Sequence, residues 1–412
     1  MRVVIINRSD HLGGAAIASS RLAAALRQQG VDARMLVADR GTEGDHVAIA
    51  GSAFARKKAF LTERWGIYWR NGRRRDTLFK IDTATHGLDV SRHPWVREAD
   101  VIVLGWVNQG MLSLADVERL GKLGKPLVWV MHDMWNCTGL CHHAYECEAY
   151  HARCRACPLL GTEGDDLSTL TQARKATLYR RTTVQFVAVS QWLASCCQNS
   201  SLLRDKPVTV IGNPFAAGEF DWHRATDNPY GVAPGSKVFV MGAARLDDPV
   251  KGMDLLIAAL RHLAQERHDV LQRMHLVLYG HLRDQSLLEQ LPVAHTHLGY
   301  VTDVETVYRH ADVVLSTSRY ESFGYTLAEG MACGCVPVTT GQGGQVDIVR
   351  HLHDGYVTGS VAPADIARGI VWATEATLSR QVLHDTVAAR FDAPIVAARF
   401  MELFKELITK KQ

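Results

Sequence analysis

The stretch VIGNPFAAGEF (210–220) separates two similar halves of this 412-residue chain. Before it, short apolar runs alternate with helical patterns, and the same alternation resumes after a polar stretch that ends near Ser236. Runs that are apolar throughout are typical of strands buried on both faces of a parallel sheet. The pattern therefore predicts an α/β protein with two doubly wound units, joined by a linker near residues 212–216.

Nine apolar runs are the predicted strands. The first half contains RVVIIN (2–7), DARMLVA (32–38), DVIVLGW (100–106), PLVWVMH (126–132) and QFVAVS (185–190). The second half contains KVFVMGA (237–243), MHLVLYG (274–280), ADVVLSTS (311–318) and CVPVTT (335–340). Ligands of such sheets bind beyond the carboxyl ends of the strands, so we expect the site in a cleft between the two domains.

The domain boundaries follow from this alternation. We expect an N-terminal Rossmann-like domain over residues 1–212 and a C-terminal one over residues 213–393. An amphipathic pattern runs from Pro394 to Lys411 and predicts a final helical segment over residues 394–412. Whether this helix crosses back to the N-terminal domain is left open by the pattern.

The composition is that of an ordinary globular protein, with 47% apolar and 22% charged residues. A net charge of +3 argues against a dedicated nucleic-acid binder, which is usually strongly basic. The first apolar run has four residues, and no run approaches the ~18 that a membrane span needs. We therefore expect a cytoplasmic protein whose nine cysteines stay as thiols or bind metal.

The stretch STSRYESFGYTLAEG (316–330) carries Glu321 and Glu329, eight positions apart. Glu321 follows a predicted strand, and a helix predicted to begin near Ser322 would offer its first amides as an anion site. Glu329, two turns farther on, could accept hydrogen bonds from a ribose diol. On spacing alone, two solvated helix carboxylates are the commoner interpretation.

Two other stretches also follow predicted strands. In GAARLDDPVKG (242–252), Arg245 and Lys251 suit a diphosphate leaving group, although surface charges are the commoner alternative. In SDHLGGAAIAS (9–19), the pair Gly13–Gly14 allows either a close approach of a ligand to the backbone or a tight turn. The stretch lacks GxGxxG, so a dinucleotide fingerprint is not predicted.

In this combination and order, the motifs make the chain resemble the retaining family 4 glycosyltransferases of the GT-B fold, over nearly its whole length. The family's Glu-x7-Glu element matches Glu321 and Glu329. Its Arg-x5-Lys element matches Arg245 and Lys251, and its N-terminal glycine loop matches Gly13–Gly14.

A fourth element of the resemblance is His132, which ends a predicted strand, precedes Asp133 and matches the family's active-site histidine. The segments around it narrow the likeness to the transferases of the colanic acid type, which assemble bacterial polysaccharides. These segments are DVSRHPWVREADVIVLGWVNQGMLSL (89–114), LGKPLVWVMHDMWNCTGLCHH (123–143) and CRACPLL (154–160).

The resemblance implies a function. A hexose would pass from a UDP- or GDP-sugar, held mainly by the C-terminal domain, to a sugar acceptor, with retention of its anomeric configuration. The implied acceptor is a lipid-linked oligosaccharide at the inner face of the cytoplasmic membrane, and no nucleic acid is involved. Because no Asp-x-Asp element ends a predicted strand, we expect catalysis without a metal ion.

The resemblance also implies residue roles. Arg245 and Lys251 would offset charge on the departing diphosphate. Glu329 would bind the ribose, and His132 would lie close to the reacting sugar. The transferred sugar's hydroxyls would be held by Glu321 and the amides of Phe323, Gly324 and Tyr325.

The segment HDMWNCTGLCHHAYECEAYHARCRACP (132–158) contains five cysteines, in a predicted loop over 137–157. Cys141, Cys147, Cys154 and Cys157 are the candidate metal ligands, with C-x5-C-x6-C-x2-C spacing. Four thiolates could close a tetrahedral structural zinc site, and the alternative is a loop of unligated thiols. A closed site leaves no open coordination position, so a catalytic metal is not expected.

The segment RWGIYWRNGRRRDTLFK (64–80) mixes five arginines and a lysine with aromatic residues. Such a segment can contact an anionic membrane surface, which would suit a lipid-linked acceptor, or it can be a solvated basic helix face.

Two other functions also remain open: a nucleotide-sugar 2-epimerase, and a non-catalytic sugar-nucleotide-binding scaffold. The identities of sugar, nucleotide and acceptor, the linkage and the oligomeric state are not determined by the sequence.

Overall fold

The computed structural model describes residues 1–410, which form two compact units. The first unit consists of Met1–Phe215 together with the chain from Ala393 onward, and the second consists of Ala216–Asp392. Each unit is a parallel sheet with helices packed on it, which confirms the predicted α/β class. Residues 411 and 412 of the predicted final helix lie outside the described residues.

The described part of the first unit contains a seven-stranded parallel sheet in the order β3-β2-β1-β4-β5-β6-β7. Its strands are β1 (Arg2–Ser9), β2 (Asp32–Asp39), β3 (Val47–Ile49), β4 (Val101–Leu104), β5 (Leu127–Met131), β6 (Gln185–Ala188) and β7 (Val208–Val210). Its helices are α1 (Gly14–Gln28), α2 (Ala53–Arg70), α3 (Pro94–Glu98), α4 (Leu114–Gly121), α5 (Leu167–Arg181), α6 (Gln191–Asn199) and α14 (Ala393–Thr409).

The central strands of this sheet are apolar because both of their faces are covered. Residues 3–6 of β1 and all residues of β4 and β5 are buried. The final helix α14 buries Val396, Phe400 and Phe404 and packs against α1, so the end of the chain contributes to the core of the first unit.

The second unit holds, within the described residues, a six-stranded parallel sheet in the order β10-β9-β8-β11-β12-β13. Its strands are β8 (Lys237–Arg245), β9 (Met274–His281), β10 (Ala294–His297), β11 (Val313–Ser316), β12 (Val336–Thr340) and β13 (Tyr356–Thr358). Its helices are α7 (Met253–Glu266), α8 (His268–Gln272), α9 (Ser286–Glu289), α10 (Val304–Arg309), α11 (Tyr325–Ala332), α12 (Pro363–Glu375) and α13 (Arg380–Phe391). Among residues 1–410, no helix is both long and apolar enough to cross a membrane.

Candidate active site

Two of the predicted motifs meet at the carboxyl edge of the second sheet. Strands β8 and β11 are parallel neighbours, so the segments that follow them emerge at the same edge. There the Lys251 ammonium lies 2.8 Å from a carboxylate oxygen of Glu321. The charge of Glu321 raises the pKa of Lys251 above its usual value, so Lys251 is protonated at neutral pH. Residues 70 positions apart in the chain thus form one charged site.

The turn that carries Glu321 is fastened to the segment after β12. The Gly344 amide donates to the Glu321 carbonyl over 2.6 Å. A Cβ at Gly343 would lie 2.2 Å from that same carbonyl, so the close approach requires glycine. The buried side-chain amide of Gln345 donates to the Ser318 carbonyl and to the Thr340 hydroxyl, which joins the two loops further. These three residues were not predicted as site residues, although a Gly-Gly pair after a strand was a usable signal.

Arg245 lies at the end of β8 and is held by its own turn. Its Nε is 3.1 Å from Asp247, and its guanidinium is 3.9 Å from Asp248. The Asp248 side chain also caps the short turn Pro249–Lys251 by accepting from the Val250 amide. Both predicted cations therefore stand at the carboxyl edge, each beside a carboxylate.

Helix α11 begins at Tyr325, three residues later than predicted, because Gly324 adopts a left-handed conformation with φ 110° and interrupts the helical path. The Phe323 ring is buried and packs edge-on against Tyr325 and Phe391. The three residues Phe323, Gly324 and Tyr325 thus form the turn that leads from Glu321 into the helix. Their backbone positions are fixed by this packing.

Glu329 lies on the inner side of α11 and is buried. Burial raises the pKa of Tyr279, and the negative charge of the nearby Glu329 raises it further. The Tyr279 hydroxyl lies 2.6 Å from the Tyr308 hydroxyl. The commoner interpretation of the sequence, a solvated helix carboxylate, is therefore wrong for Glu329. Glu321 is not simply solvated either, since it is paired with Lys251.

His132 and Asp133 follow β5 in the first unit. The His132 imidazole is partly buried, and its enclosed Nε2 has no hydrogen-bond partner among residues 1–410. Burial lowers the pKa of His132 to about 4, and the charge of Asp133 opposes this only in part. The ring is therefore neutral at pH 7 and holds an unused nitrogen, which is uncommon for a buried polar group.

Asp133 is oriented by three donors. Its carboxylate lies 2.8 Å from each of the Trp106 indole nitrogen, the Trp135 amide and His142 Nδ1. Burial alone would raise the pKa of Asp133, but the positive charge of His142 lowers it to about 2. Neither Trp106 nor this role of His142 was predicted, because the partners come from different loops.

Gly13 and Gly14 lie where β1 leads into α1, with Gly13 as the residue before the helix. A Cβ at either position would meet no atom within 4 Å. Gly13 has a φ of 87°, so the turn into α1 itself requires glycine there, and the space beside both glycines is open. Gly13, Gly14 and His132 belong to the first unit, whereas the other predicted donor-binding residues belong to the second.

The four candidate zinc ligands all line one small cavity of about 20 Å³. Within residues 1–410, no group of three or more His, Cys, Asp or Glu side chains is arranged to hold a metal ion. Burial raises the pKa of Cys141 to about 12 and that of Cys154 to about 11, so these thiols are neutral. The expectation that Cys141, Cys147, Cys154 and Cys157 bind structural zinc is therefore unsupported.

Hydrogen bonds to α5 fasten the cysteine-rich loop instead. Gln172 accepts from the Cys154 amide, and Asp166 accepts from the Cys157 amide. The side-chain nitrogen of the buried Lys175 donates to the carbonyls of Trp135 and Thr138. These contacts fasten both ends of the loop to the helix.

Residues 227–386 match the family model described as Glycosyl transferases group 1. An uncharacterized glycosyltransferase of Methanocaldococcus jannaschii is 28% identical over 319 residues, which cover 71% of this chain and 79% of that protein. The phosphatidyl-myo-inositol mannosyltransferase of Mycobacterium tuberculosis is 30% identical over 193 residues, covering 42% of this chain and 47% of the relative. The chain thus matches less than half the length of that mannosyltransferase.

Among solved structures, HepE of Anabaena, in complex with UDP and glucose, matches with a TM-score of 0.62. The two chains are 18% identical, and the match covers 98% of this chain and 99% of HepE. These findings support a GT-B glycosyltransferase. The predicted GT-B fold is confirmed, and a transferase is favoured over the 2-epimerase or a non-catalytic scaffold.

Proposed function

We propose that the protein is a retaining family 4 glycosyltransferase that moves a hexose from a UDP- or GDP-sugar to a saccharide acceptor. The observation that carries the proposal is the Lys251–Glu321 ion pair. It joins the Arg-x5-Lys element to the Glu-x7-Glu element at one edge of the second sheet. The complex of HepE with UDP and glucose makes UDP-sugars the first donors to test. The proposed acceptor is a lipid-linked oligosaccharide of bacterial polysaccharide assembly, as in the colanic acid type that the sequence resembles.

The leaving diphosphate is proposed to bind Arg245 and Lys251. Positive groups held in place before the reaction stabilise the charge that builds up on the leaving oxygen. Lys251 is held by Glu321, and Arg245 is held by Asp247. With these two cations, the proposed chemistry uses no metal ion.

The sugar nucleotide's other groups are assigned to α11 and the turn before it. Glu329 is proposed to accept hydrogen bonds from the ribose hydroxyls, for which it has two acceptor oxygens. Glu321 and the amides of Phe323, Gly324 and Tyr325 are proposed to hold the hydroxyls of the transferred sugar. Gly13 and Gly14 are proposed to let a ligand approach the first unit's backbone, where space is open.

Retention is proposed to follow from front-face displacement. The acceptor hydroxyl oxygen forms a bond to the anomeric carbon while the bond from that carbon to the diphosphate oxygen breaks. The acceptor's proton passes to the leaving phosphate, so no carboxylate nucleophile is required. His132 is proposed to lie close to the reacting sugar, as the resemblance implies, with its imidazole neutral at pH 7.

Release of free nucleotide from a panel of UDP-, GDP-, ADP- and dTDP-sugars tests the proposal. We expect release from one donor class, abolished by Lys251→Ala and by Glu329→Ala. Matched controls are Lys237→Ala, at the amino end of β8, and Glu289→Ala, exposed in α9. Absence of both release and nucleotide-sugar binding would contradict the proposal, whereas binding without release in the presence of acceptor would favour the scaffold.

We also propose that the protein is cytoplasmic and contacts the inner face of the membrane through α2 and the turn after it. Phe54 is 77% exposed and Trp65 is 62% exposed, and Leu61, Trp69 and Phe79 are exposed as well. Residues 53–80 contain nine Arg and Lys residues but only Glu63 and Asp76 as acids, and Glu63 is buried. Exposed aromatic residues with flanking positive charge suit an anionic lipid surface.

Sedimentation with phosphatidylglycerol-containing vesicles, compared with pure phosphatidylcholine vesicles, tests this contact. We expect binding to the anionic vesicles alone, lost in the triple variant R73Q/R74Q/R75Q. The triple variant R174Q/R180Q/R181Q removes the same charge from the exposed face of α5 in the same unit and is expected to bind normally. Equal loss in both triple variants would mean a response to net charge and would contradict a specific surface.

A further inference from the structure

A buried row of alternating charges runs through the first unit and ends beside His132. Arg64 of α2 donates to one oxygen of Asp82, and the other Asp82 oxygen lies 3.2 Å from His142 Nε2. His142 Nδ1 lies 2.8 Å from Asp133. Asp82 is fully buried, and Arg64 and His142 are nearly so. A buried charge is stable only when it is paired and hydrogen-bonded. The four side chains of the row therefore hold one another in fixed positions.

His142 is the centre of this row. Both ring nitrogens face carboxylates, which requires the ring to carry a proton on each nitrogen if both contacts are hydrogen bonds. Its backbone carbonyl accepts from the Met134 amide over 2.9 Å, and its ring packs 5.4 Å from the Trp106 ring. Trp106 donates to the same Asp133 oxygen as His142 does. The residue therefore fixes the turn after β5 through its side chain and through its backbone.

We propose that His142 is a positioning residue, which orients the Asp133 carboxylate and, through the turn they share, the neighbouring His132 imidazole. The proposal rests on the proposed function in one respect, namely that His132 lies close to the reacting sugar. Groups that hydrogen-bond a functional side chain from behind fix its orientation, and their loss commonly lowers activity by about 10- to 100-fold. Asp133 has three such donors, and His142 is the charged one.

A purely structural role predicts something different. If the row only stabilised the loop, a folded His142 variant would keep its turnover number and lose only stability. If His142 positions His132, a folded variant loses turnover while the apparent affinity for the donor stays the same, because the proposed donor-binding residues belong to the second unit. A split between kcat and KM therefore separates the two roles.

The experiment compares His142→Gln with His143→Gln, its neighbour in the chain, which leaves the three hydrogen bonds of Asp133 in place and removes only a weaker electrostatic interaction. With the donor identified by the nucleotide-release panel, we expect His142→Gln to lower kcat about 10- to 100-fold with KM for the donor changed less than about twofold. We expect His143→Gln to resemble the wild type. Circular dichroism and the unfolding midpoint establish that each variant is folded. A folded His142→Gln protein with wild-type kcat, or with a loss equal to that of His143→Gln, overturns the proposal.

A second readout does not depend on turnover. Nitrogen-15 spectra of histidine-labelled protein are expected to show His132 ring signals displaced by His142→Gln and unmoved by His143→Gln. If the wild type neither binds any donor nor releases nucleotide from one, the proposed function fails, and unmoved His132 signals would still contradict the positioning role. Should His142→Gln not fold, Trp106→Phe removes another donor to Asp133: a loss confined to kcat supports the proposal, and an unchanged kcat overturns it.

Discussion

At the scale of single residues, the Lys251–Glu321 pair is better explained by binding than by stability. The two side chains are 31% and 24% exposed, and a pair open to solvent to this degree contributes about 0.2–1 kcal/mol to folding. A positive group placed next to the charge that develops in the transition state can change the reaction rate by much more than this amount of free energy. The pair therefore matters mainly for how it places an ammonium at the edge of the second sheet.

Replacement of Glu321 by Gln separates these two effects. We expect the free energy of unfolding to fall by less than about 1 kcal/mol, because the pair is partly exposed. Nucleotide release should fall by about a hundredfold, because the ammonium loses the carboxylate that holds it and the sugar loses an acceptor. Urea unfolding and the release assay measure the two quantities. A loss of several kcal/mol with normal turnover would make the pair a structural one.

His132 should contribute a pH dependence to stability, since its pKa is about 4 in the folded protein and about 6.5 when unfolded. Because the unfolded chain binds the proton first, stability is lost as pH falls from about 6.5 toward 4. Between pH 7 and pH 5 the wild type should lose ~2 kcal/mol more than His132→Gln, which cannot titrate. Urea unfolding of both proteins at the two pH values checks this. If the two proteins lose the same unfolding free energy between pH 7 and pH 5, the His132 ring is solvated in the folded protein.

At the scale of elements, the sheets show which strands a sequence pattern can predict. The nine predicted strands are all found, and they include every interior strand of the two described sheets. The strands that the pattern missed within residues 1–410, β3, β7, β10 and β13, have three or four residues and form the edges. An edge strand of three or four residues is too short to be identified by its pattern, even where it is apolar throughout, as in β3. Its identity depends on the pairing strand, which is far away in the sequence.

The cysteine-rich loop depends on the start of α5, where Asp166 caps the helix and accepts from the Cys157 amide. Asp166→Ala should lower the free energy of unfolding by about 2 kcal/mol through the lost cap and loop contacts. It should also speed thiol labelling of Cys157. Asp165→Ala, at an exposed neighbour paired with Arg153, should change neither the free energy of unfolding nor the labelling rate of Cys157.

A zinc chelator should leave the wild-type unfolding midpoint unchanged. A lower midpoint with chelator would show that a metal holds the cysteine-rich loop.

At the scale of the whole molecule, the candidate site was predicted where its residues are close in sequence and missed where they are not. Glu321 and Lys251 each lie within a recognisable local motif at the end of an apolar run. The row Arg64, Asp82, His142 and Asp133 joins residues up to 78 positions apart, and no local spacing relates them. Likewise, the amphipathic pattern predicted a helix near the C-terminus but not its partner, α1 of the first unit. Long-range packing decides such contacts.

The last helix joins the end of the chain to the core of the first unit. Phe400 is fully buried in α14 and lines a cavity with His132. Phe400→Ala should therefore cost about 3–5 kcal/mol of unfolding free energy, measured by urea denaturation. Val382→Ala, on the exposed side of α13, should cost less than about 0.5 kcal/mol. Similar small losses for both would mean that α14 is dispensable.

The central claim is that the carboxyl edge of the second sheet binds the diphosphate of a sugar nucleotide, and titration calorimetry tests it without any acceptor. UDP, GDP and UDP-glucose would be titrated into the wild type, Lys251→Ala and Lys237→Ala. We predict that one nucleotide class binds the wild type, that Lys251→Ala weakens its binding by about 10- to 100-fold, and that Lys237→Ala binds as the wild type does. Binding of no nucleotide, or equal binding by all three proteins, would contradict the claim.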